Sequence, residues 1–259
     1  MKGQVSLRRE GAIAWVTLSH PGRLNAMSRA MWLRLRDIFA DTIASDASLR
    51  CVVVRGEGAA FCAGGDISEY PSFRFDEAKL REFHENEVWA ALAAMQACEL
   101  PLVAQIEDAC MGAGLEIASC CDIRLAGVSA RFGAPIAKLG FPMAPREAAL
   151  VRGAVGDVLA RDMLLAAGVH GAQRLYDAGF LLQVLPDEAV PDAVTHHARR
   201  IAALAPQAAR INKRTFFALR APGGPSAVEA LLPGAYVYAD TPEHREGIDA
   251  FIAKRTPAF

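Results

Sequence analysis

Met111-Gly112-Ala113-Gly114-Leu115-Glu116-Ile117-Ala118-Ser119-Cys120-Cys121-Asp122-Ile123-Arg124-Leu125-Ala126 is the stretch whose reading decides the fold. It follows an apolar run at 101–106 that reads as a buried strand. Small residues then open a helix over 114–120, and 123–126 returns as a strand. Strand, glycine-rich turn, helix and strand in succession mark an α/β protein. Upstream, the apolar run Cys51–Gly56 is another buried strand. Alternating segments at 5–9 and 12–18 form a hairpin across Glu10-Gly11. Ser28 caps a helix in which Met31, Leu35, Ile38 and Phe39 recur at helical spacing to about residue 44. Residues 77–98 are helical by pattern. After Gly140 the pattern changes to helices at 144–155, 158–168, 172–179 and 191–205. A last helical stretch, 206–259, is broken at Ala221-Pro222-Gly223-Gly224-Pro225. The expected architecture is an α/β core with a helical C-terminal extension.

The 259 residues carry 28 Lys+Arg against 29 Asp+Glu, a net charge of −1, with 53% apolar and 22% charged residues. That balance excludes a disordered tail or fibrous repeat, and it argues against a nucleic-acid partner, which needs a basic face. No apolar run approaches the roughly 18 residues of a membrane span, so no membrane partner is expected. The start lacks the apolar stretch of a signal peptide. The six cysteines form no CxxC pair, so they read as reduced thiols of a cytoplasmic protein and no metal is expected.

Two glycine-rich turns carry the chemistry. Phe61-Cys62-Ala63-Gly64-Gly65-Asp66-Ile67 follows a strand. Its paired glycines either make an ordinary tight turn or let the backbone approach a ligand with its N–H groups. Gly112-Ala113-Gly114 opens a helix, whose first N–H groups are unpaired and carry positive partial charge. That is half of an oxyanion hole. Glu116 lies one turn in. It either stabilises the helix dipole, worth roughly 0.3–1 kcal/mol, or acts as acid or base beside a polarised carbonyl. Other motifs are absent: Ile117 breaks GxGxxG, and no P-loop or GxSxG elbow occurs. His84-Glu85-Asn86-Glu87-Val88 lacks the second His of a zinc protease helix, leaving His84 as a solvated or pocket-edge residue.

Together, FCAGGDI at 61–67 and MGAGLEIASCCDIRLA at 111–126 resemble the crotonase family of enoyl-CoA hydratases and isomerases. PGRLNAMS at 21–28, RFGAPIAKLGF at 131–141 and EGIDAFIAKRTPAF at 246–259 extend the resemblance, in order, along nearly the whole chain. The resemblance implies a ββα spiral core over 1–190 that binds acyl-CoA. It also implies a helical oligomerisation region over 191–259, giving a homotrimer or dimer of trimers. The ligand is an acyl-CoA thioester. Coenzyme A is then part of the substrate and no separate cofactor is implied. The backbone N–H groups of Ala63 and Ala113 would hold the thioester oxygen, with Glu116 as acid/base. Arg23, Ala26, Gly64, Gly65, Asp66, Ile67, Gly112 and Ile136 would line the CoA and substrate site, and Lys254 would reach it from a neighbouring subunit.

One departure bears on the chemistry. The family's second glutamate follows Pro in FGxPE, and here that position is Ile136. Glu147 or Arg146, in the altered segment that follows, are the residues near enough in sequence to enter the pocket, although Glu147 also suits the first turn of a helix. The expected activity is hydration of a 2-enoyl-CoA across its 2,3-double bond. The alternatives are isomerisation or other enolate chemistry, or a CoA-binding protein without catalysis.

Overall fold

The computed structural model describes residues 2–220 and 224–259. Of the break expected at 221–225, residues 221–223 lie outside the described residues, and the helix Gly224–Glu229 begins within it. The strands are β1 (Gln4–Glu10), β2 (Ile13–Ser19), β3 (Cys51–Gly56), β4 (Leu102–Ile106), β5 (Ala109–Met111), β6 (Ile123–Gly127), β7 (Arg131–Gly133), β8 (Val169–Gly171) and β9 (Gln183–Leu185). β1 and β2 form the hairpin, and β3, β4, β6 and β9 extend it in parallel in the order β1-β2-β3-β4-β6-β9. A second, small sheet runs β5-β7-β8.

The large sheet is buried on both faces because apolar residues fill both phases of its two-residue period. Ala14, Val16, Leu18, Val52, Val54, Leu102, Ala104 and Ile106 enter one core, under the helices Arg29–Asp37 and Trp89–Ala97. The alternate residues Ile13, Trp15, Cys51, Val53 and Val103 face Val190, Val194 and Ala198 of the helix Val190–Ala202. That helix therefore completes the core. The boundary expected at 190 moves to the far side of Ala202, since a sheet with Val, Ile and Trp on both faces needs a cover on both.

Local signals explain most elements. The Ser28 hydroxyl accepts the Met31 N–H at 3.3 Å and starts its helix as expected. The rod expected at 77–98 is three segments, Glu77–Glu82, Phe83–Val88 and Trp89–Ala97, the middle one a π-helix. Such wide turns re-aim side chains and concentrate at functional sites. β5, β7, β8 and β9 carry no signal in the sequence. Three residues are too few to show a period, and their pairing is set by contacts distant in sequence. No helix among the described residues is long and apolar enough to cross a membrane.

Candidate active site

The two glycine-rich turns lie side by side because the backbone stitches them together. Cys62 N–H donates to the Ala109 carbonyl at 2.7 Å, and Met111 N–H donates back to the Cys62 carbonyl at 2.9 Å. Gly112 N–H reaches the Gly133 carbonyl at 2.8 Å, fixing β5 against β7. The helix Ala113–Cys120 starts directly from this junction and is buried along its whole length. Gly114 is required there, because a β-carbon would lie 2.5 Å from the Cys62 carbonyl oxygen. At the far end, the buried Arg124 caps the helix. Its guanidinium donates to the Cys121 carbonyl and to the Phe180 carbonyl, the latter at 2.5 Å. Ala113 N–H, at the positive end of this helix, has no acceptor among the described residues.

The second donor is not Ala63. Its N–H donates to the Leu24 carbonyl at 2.9 Å, which ties the 61–67 turn to the Leu24-Asn25 turn and removes that N–H from ligand binding. Among the described residues, the N–H groups of this turn without an acceptor are those of Gly64, Gly65 and Ile67, and Gly64 and Gly65 lie on the cavity lining with Ala113. Gly64 sits at φ +119°, a conformation L side chains rarely adopt, and this turns the following backbone into the cavity. Asp66 caps the short helix Ile67–Ser72 and is buried. Burial alone would raise its pKa, but the Ser68 hydroxyl and N–H and the Arg23 guanidinium hold it below the ordinary carboxylate range. Arg23 Nη1 pairs with Asp66 Oδ1 at 2.9 Å and remains half exposed beside the exposed Ile67. Ala26 is buried beneath them and its carbonyl bonds the His20 ring at 2.7 Å. Lys254 follows the helix Pro242–Ile252 and does not line this cavity within its own chain.

These elements enclose a cavity of about 320 Å³. Ala63, Gly64, Gly65, Gly112, Ala113 and Glu116 form its floor, and Ile136 stands in its wall. The Glu116 carboxyl is pushed up to about 8, first by burial and second by the nearby charge of Glu147. Glu116 therefore carries its proton at neutral pH. Cys62, at the same junction, is pushed up to about 12 by burial, so it offers no thiolate.

Ile136 brings no carboxylate, and Glu147 does not line the cavity itself but contacts the lining residue His84. Glu147, in the first turn of the helix Pro145–Val155, is almost fully buried, and its Oε1 lies 3.1 Å from His84 Nδ1. His84 lines the cavity from the π-helix Phe83–Val88. In the neutral ring, Nδ1–H donates to Glu147 and Nε2 keeps its lone pair. This pair was not legible in the sequence. Its members are 63 residues apart, and each has an ordinary local role.

Fold and site together define an α/β protein with unpaired backbone N–H groups and a buried carboxyl brought together in one largely apolar cavity. Residues 8–259 match the family described as enoyl-CoA hydratase/isomerase, and the chain belongs to that family. The 2,3-dehydroadipyl-CoA hydratase of Escherichia coli is 31% identical over 99% of this chain and 98% of its own length. A protein of Thermus thermophilus described as an enoyl-CoA hydratase is 30% identical over 96% of this chain and 98% of its own. The crystal structure of an enoyl-CoA hydratase/carnithine racemase from Magnetospirillum magneticum superposes with a TM-score of 0.93. That protein is 39% identical, over 98% of this chain and 94% of its own.

Proposed function

We propose that this protein hydrates a 2-enoyl-CoA across its 2,3-double bond, and that Glu116 delivers the proton. The observation that carries this reading is the buried Glu116 carboxyl in the cavity lining, one helical turn from the Ala113 N–H that has no acceptor among the described residues. The thioester oxygen binds Ala113 N–H and an N–H of the Gly64-Gly65 pair, which makes C3 electrophilic and stabilises the enolate that forms. His84 Nε2 takes a proton from water while the water oxygen bonds to C3 and the π electrons move to the enolate. Glu116 gives its proton to C2, collapsing the enolate to the saturated thioester. The product has gained one water. Proton return from His84 to Glu116 through solvent restores both groups. Glu147 holds the His84 ring and offsets its transient positive charge, the part a carboxylate plays beside a catalytic histidine.

The same reading extends to assembly and place. We infer a cytoplasmic homotrimer or dimer of trimers, with Lys254 meeting the CoA of a neighbouring subunit. The resemblance of the C-terminal segment supports this, as do the exposed apolar residues of that third.

The test follows loss of enoyl absorbance with crotonyl-CoA. Glu116→Gln is expected to lower kcat by about 10²–10⁴-fold, the usual contribution of a general acid or base. Turnover that survives this substitution rejects the assignment. An inert wild type that interconverts 3-enoyl- and 2-enoyl-CoA would instead identify an isomerase.

A further inference from the structure

Arg74 is a cation in the substrate cavity with no anion beside it. It lines the cavity with Glu116, and no carboxylate pairs with it among the described residues. Elsewhere in the molecule the cations nearest this region are matched: Arg23 by Asp66, Arg29 by Glu87 and Arg146 by Glu85. Arg74 instead lies over two aromatic rings, 3.5 Å from the Phe141 centroid and 4.6 Å from that of Tyr70. Those rings meet edge to face, 6.0 Å apart, and join the 67–74 segment to the 135–144 wall. Stacking holds the guanidinium plane and leaves its edge, with the paired N–H donors, for a ligand. Burial pushes the Arg74 pKa down, and only the Tyr70 phenol opposes it, so the charge is held there at a cost that an anion would relieve. The second cation in the lining is Lys138. Glu116, the carboxylic acid of the lining, forms no ion pair with either cation among the described residues.

We propose that the acyl group of the substrate ends in a carboxylate, and that Arg74 binds this carboxylate through its guanidinium edge. The inference rests on the acyl-thioester reading above and names the substrate class of that same site. Bidentate pairing of guanidinium with carboxylate supplies both the charge and the geometry. The Phe141 and Tyr70 rings exclude water from one side of the pair. A methyl-ended chain would leave the guanidinium half buried and unpaired. The coenzyme A phosphates are the other anions within reach of a cation, and the test separates the two.

The experiment compares pairs of 2-enoyl-CoA esters of five, six and eight carbons, each ending either in methyl or in carboxylate. In at least one pair, kcat/KM is expected to favour the carboxylate by roughly tenfold or more, as for a hydrogen bond to a charged group. Arg74→Leu is expected to remove most of that ratio and Arg74→Lys part of it. Because the ratio cancels any general loss of folded enzyme or CoA affinity, it isolates the acyl end. Equal losses on both members of a pair place Arg74 on the CoA phosphates and overturn the proposal. So does a wild type without preference at any of the three lengths. Calorimetric binding of the saturated esters gives the same ratio without turnover. An inert enzyme that still prefers the carboxylate ester, in an Arg74-dependent way, would reject hydration and keep this inference.

Discussion

Glu116 makes the chain's stability depend on pH in a direction opposite to that of most carboxylates. Its pKa rises from 4.5 in an exposed chain to about 8 in the fold. Between those values the native state binds the extra proton, so stability is full below about pH 4.5 and falls as pH rises to about 8. Glu116→Gln removes this slope. Denaturant titrations are expected to show the variant gaining on the wild type by a few kcal/mol in order of magnitude between pH 5 and pH 8. A constant difference would mean that Glu116 is ionised in the native protein and cannot be the acid. His84 gives a second expectation. His84→Gln is expected to reduce kcat about 10²-fold, the lower end for a lost general base. Glu147→Gln, which only loosens the ring, is expected to cost less and to shift the pH–rate profile. Wild-type kcat in His84→Gln would return the water to Glu116 alone. At this scale the sequence was half legible. Glu116 and Ala113 announce themselves, because a helix start with small residues carries its chemistry in consecutive positions. Ala63 misled, since no local signal shows that Leu24 takes its N–H.

The helix Ala113–Cys120 shows how much of the site depends on one close approach. It meets the 61–67 turn at Gly114, where a β-carbon would come within 2.5 Å of the Cys62 carbonyl oxygen and 2.9 Å of Cys62 Cβ. The first obstacle is backbone, which cannot swing aside as a side chain can. Gly114→Ala must therefore move the helix away from the turn. The expected cost is about 1–3 kcal/mol in urea denaturation, typical of an overpacked core. A fall in kcat/KM is expected to accompany it, because the two sets of N–H donors separate. Full stability with lost activity, or the reverse, would show that the contact does not couple the two. This element and the large strands were legible because each carries an unbroken apolar period. The small sheet was not, although β5 delivers the junction on which the site stands. Three-residue strands are defined by their partners, β7 and β8, and the π-helix that aims His84 has no sequence signature comparable to a cap.

The C-terminal third has a polarity that a lone chain does not explain. Phe216, Phe217, Phe251 and Ile252 are exposed, Phe251 at 85% of its surface. The region is nevertheless anchored to its own core. Lys213 Nζ pairs with Asp122 at 2.8 Å, and Arg50 Nη2 donates to the Phe259 carbonyl at 2.6 Å. A segment fixed at its base and apolar on its outer side is suited to contact other copies of the chain, since apolar patches of this kind mark association surfaces. Light scattering of the purified protein is expected to give three times the 27.7 kDa of one chain, or a further doubling of that. Phe251→Glu combined with Ile252→Glu is expected to lower the mass, because each buried charge would lack a partner. If Lys254 meets the CoA across the interface, the same variant is expected to raise KM for the thioester more than it lowers kcat. A monomeric wild type at micromolar concentration would leave the exposed phenylalanines without this role and would place the whole of each site within a single chain.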